Sequence, residues 1–314
     1  MSLIGHYFTL RQHFARFVEP GLPANLTRWA LPGHDQHGLA MQLSGAFAHA
    51  SERELVVVLH GLGGSIQSRY MARALHAALA RGVSCLLLNA RGAGDSSGNI
   101  AHAGLIEDLE HALAAESLRS YERVYLFGYS MGGHVALRYA SHDPDPRVKS
   151  VVALCSPLDL AANMRAFDQA LVNPYRPYVL GGLAAQFARY SQGGRAPISV
   201  ERARRIRRIF DWDRDVIAPV FGFESPWAYY EQCSAANTLD RLRVPALYVG
   251  AKHDPMIPYD TVSGALERDK GKLSVVWADS GGHLAFPARF SLGGPAQSSL
   301  EAQCLSWLQH PTRV

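Results

Sequence analysis

Hydrophobic positions fall in two rhythms along this 314-residue chain. Short, nearly continuous apolar runs occur at Leu55–Leu59, Val83–Leu88, Val124–Phe127, Val148–Leu154, Val244–Val249 and Leu273–Trp277. Each is too short for a helix and most are rich in β-branched residues, which predicts strands buried on both faces of a parallel sheet. Between them, Ile66–Ala80, Gly104–Leu118 and Met131–Ala140 carry apolar residues at helical spacing. Upstream, Leu26–Pro32 and Gly38–Leu43 flank a polar turn and predict an antiparallel hairpin at the sheet edge. Ser298–Leu308 predicts a closing helix. Strands alternating with helices make an α/β fold, with a mostly parallel central sheet flanked by helices.

The alternation breaks between Leu158 and Ala236. This stretch is helix-like and aromatic, with Phe167, Tyr175, Tyr178, Phe187, Trp212, Tyr229 and Tyr230 among its residues. It follows one strand and precedes the next, so it inserts at the carboxyl edge of the sheet, where open α/β sheets bind ligands. The expected organisation is a core of residues 1–157 and 237–314 with a cap or lid insertion at 158–236. Aromatics in such a cap either line an apolar pocket or form the cap's own small core. The chain carries no internal repeats or low-complexity tracts.

Composition changes this picture little. The 48% hydrophobic and 18% charged content is that of a folded globular chain. A net charge of +4 is mild and lacks the clustered basic face of a nucleic-acid binder. The basic run Glu201–Arg208 reads as a solvated helix face, because Ile206, Ile209 and Phe210 turn inward at helical spacing. Attraction to anionic lipid headgroups is its second reading. Cys85, Cys155, Cys233 and Cys304 are scattered without a C-x-x-C pair, which predicts reduced thiols and a cytoplasmic protein. Residues 1–20 lack the continuous apolar core of a leader. No run approaches the roughly 18 apolar residues of a spanning helix, so the expectation is a soluble or at most peripheral protein.

The chemistry is concentrated in three places. Gly128-Tyr129-Ser130-Met131-Gly132 matches G-x-S-x-G, between a buried strand and the helix opened by Met131. A strand-to-helix turn this tight needs glycine neighbours, and it lifts the serine above the sheet edge as a nucleophile. The bland alternative, a serine that only caps the helix, has no need of glycine on both sides. His60-Gly61-Leu62-Gly63-Gly64 follows another strand directly. It lets backbone N–H groups approach a reacting oxygen, so Leu62 and Met131 are the expected oxyanion-hole donors. A phosphate cradle would need G-K-[ST] or G-x-G-x-x-G, and neither is present. His60 itself reads as a packing residue that holds the loop.

The general base and its acid follow the nucleophile in chain order. Asp254 lies just past the strand ending at Val249, in a loop stiffened by Pro255 and Pro258. His283 follows the last strand and Ser280-Gly281-Gly282. Asp159 occupies another strand end and is the alternative acid, while Asp279 is too near His283 in sequence to face it easily. Ser130, Asp254 and His283 thus form the expected catalytic triad. No histidine spacing suggests a metal site, and no metal or organic cofactor is implied.

Several segments together resemble the YheT-type esterase branch of the α/β-hydrolases, the abhydrolase four family. They are HGLGGS at 60–65, NARGAGDS at 89–96, AHAGLIEDL at 101–109, GYSMGGHVALRYA at 128–140, HDPMIP at 253–258 and GGH at 281–283. The opening IGHYFTL at 4–10 belongs with them, so the likeness covers nearly the whole chain. Within the insertion, Trp212 to Phe223 is similar to a family stretch that usually reads F-D-x-x-x-T-A-P-x-x-G-F, with Trp212 and Ile217 departing from it beside Asp213. The resemblance implies an α/β-hydrolase fold, carboxylesterase or lipid-hydrolase activity, and a triad on the same three residues. Asn89, Arg91 and Asp95 read as loop braces, and His102 and Asp108 as braces of the neighbouring helix. The expected function is a serine hydrolase that cleaves carboxylic esters of short to medium acyl chains, or lipid esters, through a Ser130-acyl intermediate. Its partner is a small-molecule ester and not nucleic acid. The alternatives are an acyltransferase on the same triad and a non-catalytic ligand-binding protein on this fold.

Overall fold

The computed structural model describes residues 3–14, 21–35, 37–170, 173–268, 271–293 and 298–312. Its centre is an eight-stranded sheet in the order β1-β2-β4-β3-β5-β6-β7-β8. The strands are β1 (Thr27–His34), β2 (Ala40–Ala48), β3 (Glu54–Leu59), β4 (Ser84–Asn89), β5 (Arg123–Tyr129), β6 (Val148–Leu154), β7 (Ala246–Ala251) and β8 (Leu273–Ala278). The expected hairpin forms: β1 pairs antiparallel with β2, and β2 with β4. From β4 to β8 every pairing is parallel.

The apolar runs become strands because both of their faces are covered. Leu55, Val57 and Leu59 of β3 pack into one cluster with Leu109, Leu113 and Leu137, while Val56 and Val58 pack into another with Met71, Leu75 and Leu305. The helices covering the first face are α3 (Glu107–Ala114) and α4 (Met131–Ala140). The other face is covered by α2 (Arg69–Ala80) and the closing helix, Leu300–Gln309. Successive strand residues point to opposite faces, so a continuous apolar run fits a sheet sandwiched between helices.

Two helices are shorter than their periodicity predicts. Residues 65–68 form a turn in which Ser68 N–H donates to Ser65 O at 2.9 Å and Ile66 N–H to Asn89 Oδ1 at 2.9 Å, so α2 starts at Arg69 rather than Ile66. Gly104 N–H donates to His102 Nδ1 at 3.1 Å, which holds residues 102–104 in a local turn; α3 starts only at Glu107, and Glu116–Leu118 turns separately as a 3₁₀ segment. Two helices have no counterpart in the sequence expectations: α1, Leu3–Phe14, and the short helix Ser263–Arg268.

Between β6 and β7 the described residues are mostly helical. They form α5 (Leu160–Gln169), α6 (Tyr175–Tyr190), α7 (Val200–Arg205), α8 (Ile209–Trp212), α9 (Ala218–Phe221) and α10 (Pro226–Cys233), with a π turn at Asp213–Ile217 joining α8 to α9. Phe167, Leu183, Phe187, Trp212, Val216 and Tyr230 bury one another in a third cluster. Most of the insertion's aromatics therefore serve its own core, although Tyr178 and Trp227 remain exposed. The last two helices are α11 (Ser263–Arg268) and α12 (Leu300–Gln309). Cys85, Cys155, Cys233 and Cys304 are buried and unpaired. No helix among the described residues is long and apolar enough to cross a membrane.

Candidate active site

Ser130 sits between the end of β5 and the first residue of α4 with φ 52° and ψ −121°. A side-chain-bearing residue rarely adopts this conformation, and surrounding structure must hold it there. The neighbours explain how. A Cβ on Gly128 would lie 2.3 Å from Gly133 Cα, and one on Gly132 would lie 2.4 Å from the Leu59 carbonyl oxygen. Only glycine lets β5 turn back so sharply against α4 and lets α4 approach β3 so closely. The Ser130 N–H is anchored to Leu154 O at 2.8 Å.

The loop 60–64 passes directly beside this turn: a Cβ on Gly61 would stand 3.1 Å from Ser130 Cβ and 3.6 Å from its Oγ. His60 holds the loop, as its sequence setting suggests. Its Nδ1 lies 2.8 Å from Gly61 O, and its Nε2 accepts from Ala90 N–H at 3.0 Å. Burial lowers the pKa of His60, which suits this neutral role. Tyr70 OH accepts from Gly61 N–H at 3.0 Å. Among the described residues neither Leu62 N–H nor Met131 N–H donates to a protein acceptor. Met131 is the first residue of α4, and the first N–H of a helix has no acceptor one turn back.

Asp254 and His283 meet although 29 residues separate them: Nδ1 of His283 lies 2.9 Å from Oδ2 of Asp254. The other carboxylate oxygen accepts from Met256 N–H at 2.8 Å and Ile257 N–H at 3.0 Å. Both side chains are nearly buried, at 2% and 9% exposure. An ionised carboxylate can only accept, so this pairing puts the imidazole proton on Nδ1 and the ring lone pair on Nε2. Ser130 and His283 line the same cavity, together with Leu62 and Met131. Cys155 completes a buried cluster, with ligand atoms within 4.8 Å of those of Asp254 and His283. Burial, and then the Asp254 charge, push its thiol well above the ordinary range. A thiol kept protonated, beside a carboxylate already bound to three nitrogens, makes a poor ligand set for a metal.

The other polar residues singled out in the sequence have partners of their own. Asp159 caps α5 by accepting from Ala162 N–H at 2.9 Å. Asp279 pairs with Lys252 at 2.6 Å on the surface. Asn89 accepts from Ile66 N–H and donates to Ser44 Oγ at 3.0 Å, and Arg91 is buried against Asp108 at 2.5 Å, so both brace loops as expected. Asp95 instead pairs with Arg28 at the surface. His102 lines the cavity rather than only bracing a helix.

Sequence reasoning missed the contribution of α1. Thr9 Oγ1 donates to Gly5 O at 2.8 Å and accepts the backbone N–H of His283 at 2.8 Å. A Cβ on Gly282 would lie 2.3 Å from Gly5 O, so α1 is clamped directly onto the His283 loop. His6 continues the clamp to α6, its Nδ1 lying 2.9 Å from Tyr175 OH with the rings stacked. These contacts join residues up to 274 positions apart. The only available signal was the opening IGHYFTL within the resemblance.

The cavity has a volume of about 460 Å³ and is walled mainly by apolar side chains, including Met164, Phe167, Val179 and Ile217. Asp213 lies in this wall, and its Oδ2 accepts from Tyr230 OH at 2.6 Å. Burial raises its carboxyl to about 7.

Comparison with known proteins agrees with this architecture. YheT of Escherichia coli (strain K12), named as a candidate esterase, is 29% identical over 276 residues, which cover 83% of this chain and 78% of that one. The medium-chain fatty acid ethyl ester synthase/esterase 2 of Saccharomyces cerevisiae is 26% identical over 263 residues, covering 74% of this chain but 58% of its own. Beyond YheT, the chain spans only about half to three-fifths of the length of such curated relatives. The solved esterase Pf2001 of Pyrococcus furiosus superposes with a TM-score of 0.55 at 17% identity, covering 85% of this chain and 90% of that one, a likeness of fold. Residues 54–289 match the family described as alpha/beta hydrolase fold, and the chain belongs to that family.

Proposed function

We propose that the protein is a serine hydrolase of carboxylic esters, with Ser130 as nucleophile, His283 as general base and Asp254 as the acid that orients it. The observation that carries this reading is the Asp254–His283 pair, whose imidazole lines the same cavity as the strained Ser130. As Ser130 Oγ attacks the carbonyl carbon, its proton passes to Nε2 of His283, and Asp254 stabilises the imidazolium that forms. The oxygen that becomes negative faces the N–H groups of Leu62 and Met131. Each such donor contributes about 3 kcal/mol to the transition state in a site shielded from water. His283 then protonates the leaving alcohol, and water activated by the same imidazole releases the acid from Ser130.

In this reading the cap, residues 158–236, roofs the site and supplies Met164, Phe167, Tyr175 and Val179 to its apolar wall. Those walls suit short to medium acyl chains or a lipid ester. The four buried thiols fit a reducing compartment, the cytoplasm. A second reading, acyl transfer to an alcohol in place of water, is favoured by the relative named as both synthase and esterase. Product analysis with added ethanol separates the two. The test of the main reading is p-nitrophenyl ester hydrolysis by the wild type and Ser130→Ala. A fall in kcat of several orders of magnitude is expected. Retention of most activity would remove Ser130 from the mechanism.

A further inference from the structure

Helix α1 carries its apolar stripe on the side that faces water. Gly5 and Thr9 turn inward and are clamped against the His283 loop. Leu3, Ile4, Tyr7, Leu10 and Arg11 fall at i, i+1, i+4, i+7 and i+8, so they share one face away from that contact. All five are exposed, Leu3 at 87% and Tyr7 at 61%. Among the described residues six large apolar side chains stand exposed, and four of them are on this face. A fifth, Tyr178, lies on α6 one turn beyond Tyr175, the residue that His6 of α1 contacts at 2.9 Å. Leu10 and Tyr178 also line the cavity, so the exposed apolar surface runs up to the mouth of the site. Apolar side chains gathered in this way mark a surface that meets a partner or a membrane.

We propose that α1, with Tyr178 of α6, docks the protein on a lipid surface bearing anionic headgroups, from which an ester passes directly into the cavity. The charges suit that occupant. Residues 3–14 contain no carboxylate, Arg11 stands within the apolar face, and Arg69 is exposed on the cavity lining. The one acidic residue that lines the cavity, Asp213, is buried in its wall. Cations beside an apolar stripe let a helix lie in the headgroup region, with its apolar side chains below and its charges among the phosphates. A second copy of the chain fits this face worse. A two-fold contact centred on it would set Arg11 against its own counterpart and cover the mouth of the cavity. The docking surface rests on the hydrolase reading above and says where the substrate of that site lies.

The experiment is flotation of the full chain with vesicles, a binding measurement that needs no turnover. Wild type and the double variant Leu3→Ser/Tyr7→Ser are compared on phosphatidylcholine vesicles with and without phosphatidylglycerol. The wild type should bind the anionic vesicles roughly tenfold more tightly than the neutral ones, a preference that shrinks at high salt. The double variant should lose roughly tenfold or more of the anionic-vesicle affinity. Its kcat/KM on dissolved p-nitrophenyl acetate should stay within about twofold of wild type, while turnover of a long-chain ester embedded in anionic vesicles falls roughly tenfold. Absence of wild-type binding overturns the proposal, and so does a double variant that binds equally well. A concentration-dependent dimer that the double variant abolishes assigns the face to a second copy and overturns it too. If the double variant fails to fold, Tyr7→Ser alone takes its place. Vesicle binding with no ester hydrolysed strikes the hydrolase reading, and substrate delivery with it. Hydrolysis of the dissolved ester without vesicle binding overturns the docking surface alone.

Discussion

Substituting Asp213 by Asn isolates the cost of one buried carboxylate. Asp213 is 7% exposed, and desolvation is the main cause that raises its pKa from 3.8 to about 7, against the opposing hydrogen bond from Tyr230. The folded state therefore holds this proton more tightly than the unfolded chain does. The stability tied to it is complete below about pH 4, falls as pH rises towards 7, and is constant above that. A rise of roughly three units corresponds to about 4 kcal/mol at 1.36 kcal/mol per unit. Of this, more than half is lost between pH 5 and pH 8. Asn keeps an oxygen for the Tyr230 hydroxyl and does not titrate in this range. Denaturant unfolding of both proteins across this range should show the wild type losing about 2–3 kcal/mol relative to Asp213→Asn as pH increases. A difference that stays flat, or one that grows in favour of the wild type, would refute a desolvated Asp213.

Three further outcomes follow from the same geometry. Thr9→Val leaves the His283 backbone N–H buried without an acceptor, so kcat should fall roughly tenfold with KM little changed, while Thr9→Ser restores most of it; equal activity of Val and Ser variants would deny Thr9 a role in positioning His283. Gly132→Ala drives a Cβ to 2.4 Å from Leu59 O, and loss of more than about 2 kcal/mol or failure to fold is expected by denaturant titration. Gly181→Ala, on an exposed face of α6 with nothing within 4 Å of the added Cβ, should instead gain up to about 1 kcal/mol; a loss there would mean that α6 is packed differently.

What could be read from the sequence was local in origin. Six apolar runs identify β3 to β8, because strands covered on both faces need no polar alternation. The setting of Ser130 shows in five consecutive residues, since the flanking glycines are forced by backbone contacts within the same turn. Asp254 and His283 are visible because a parallel sheet collects its strand ends on one edge, which narrows the candidate residues without any contact being known. Asp159 is the alternative strand-end acid by pattern. It is withdrawn from the cavity by its helix cap, a hydrogen bond to a residue only three positions on. The missing parts are long-range. Thr9 reaches His283 across 274 positions, and His134 is buried between Pro157 O and Cys233 O at 2.8 Å each. Helix starts were misplaced at Ile66 and Gly104, where side chains capture backbone groups that periodicity assigns to a helix.

Chemical activation of the hydroxyl at position 130 is what the proposed mechanism requires first. The most direct measurement is intact-mass and peptide-mapping mass spectrometry after incubation with a fluorophosphonate, run on the wild type and on His283→Ala. One equivalent of adduct on the peptide carrying Ser130 is expected, with labelling slowed by several orders of magnitude when the imidazole is removed. An unlabelled Ser130, or labelling that proceeds unchanged without His283, would contradict it.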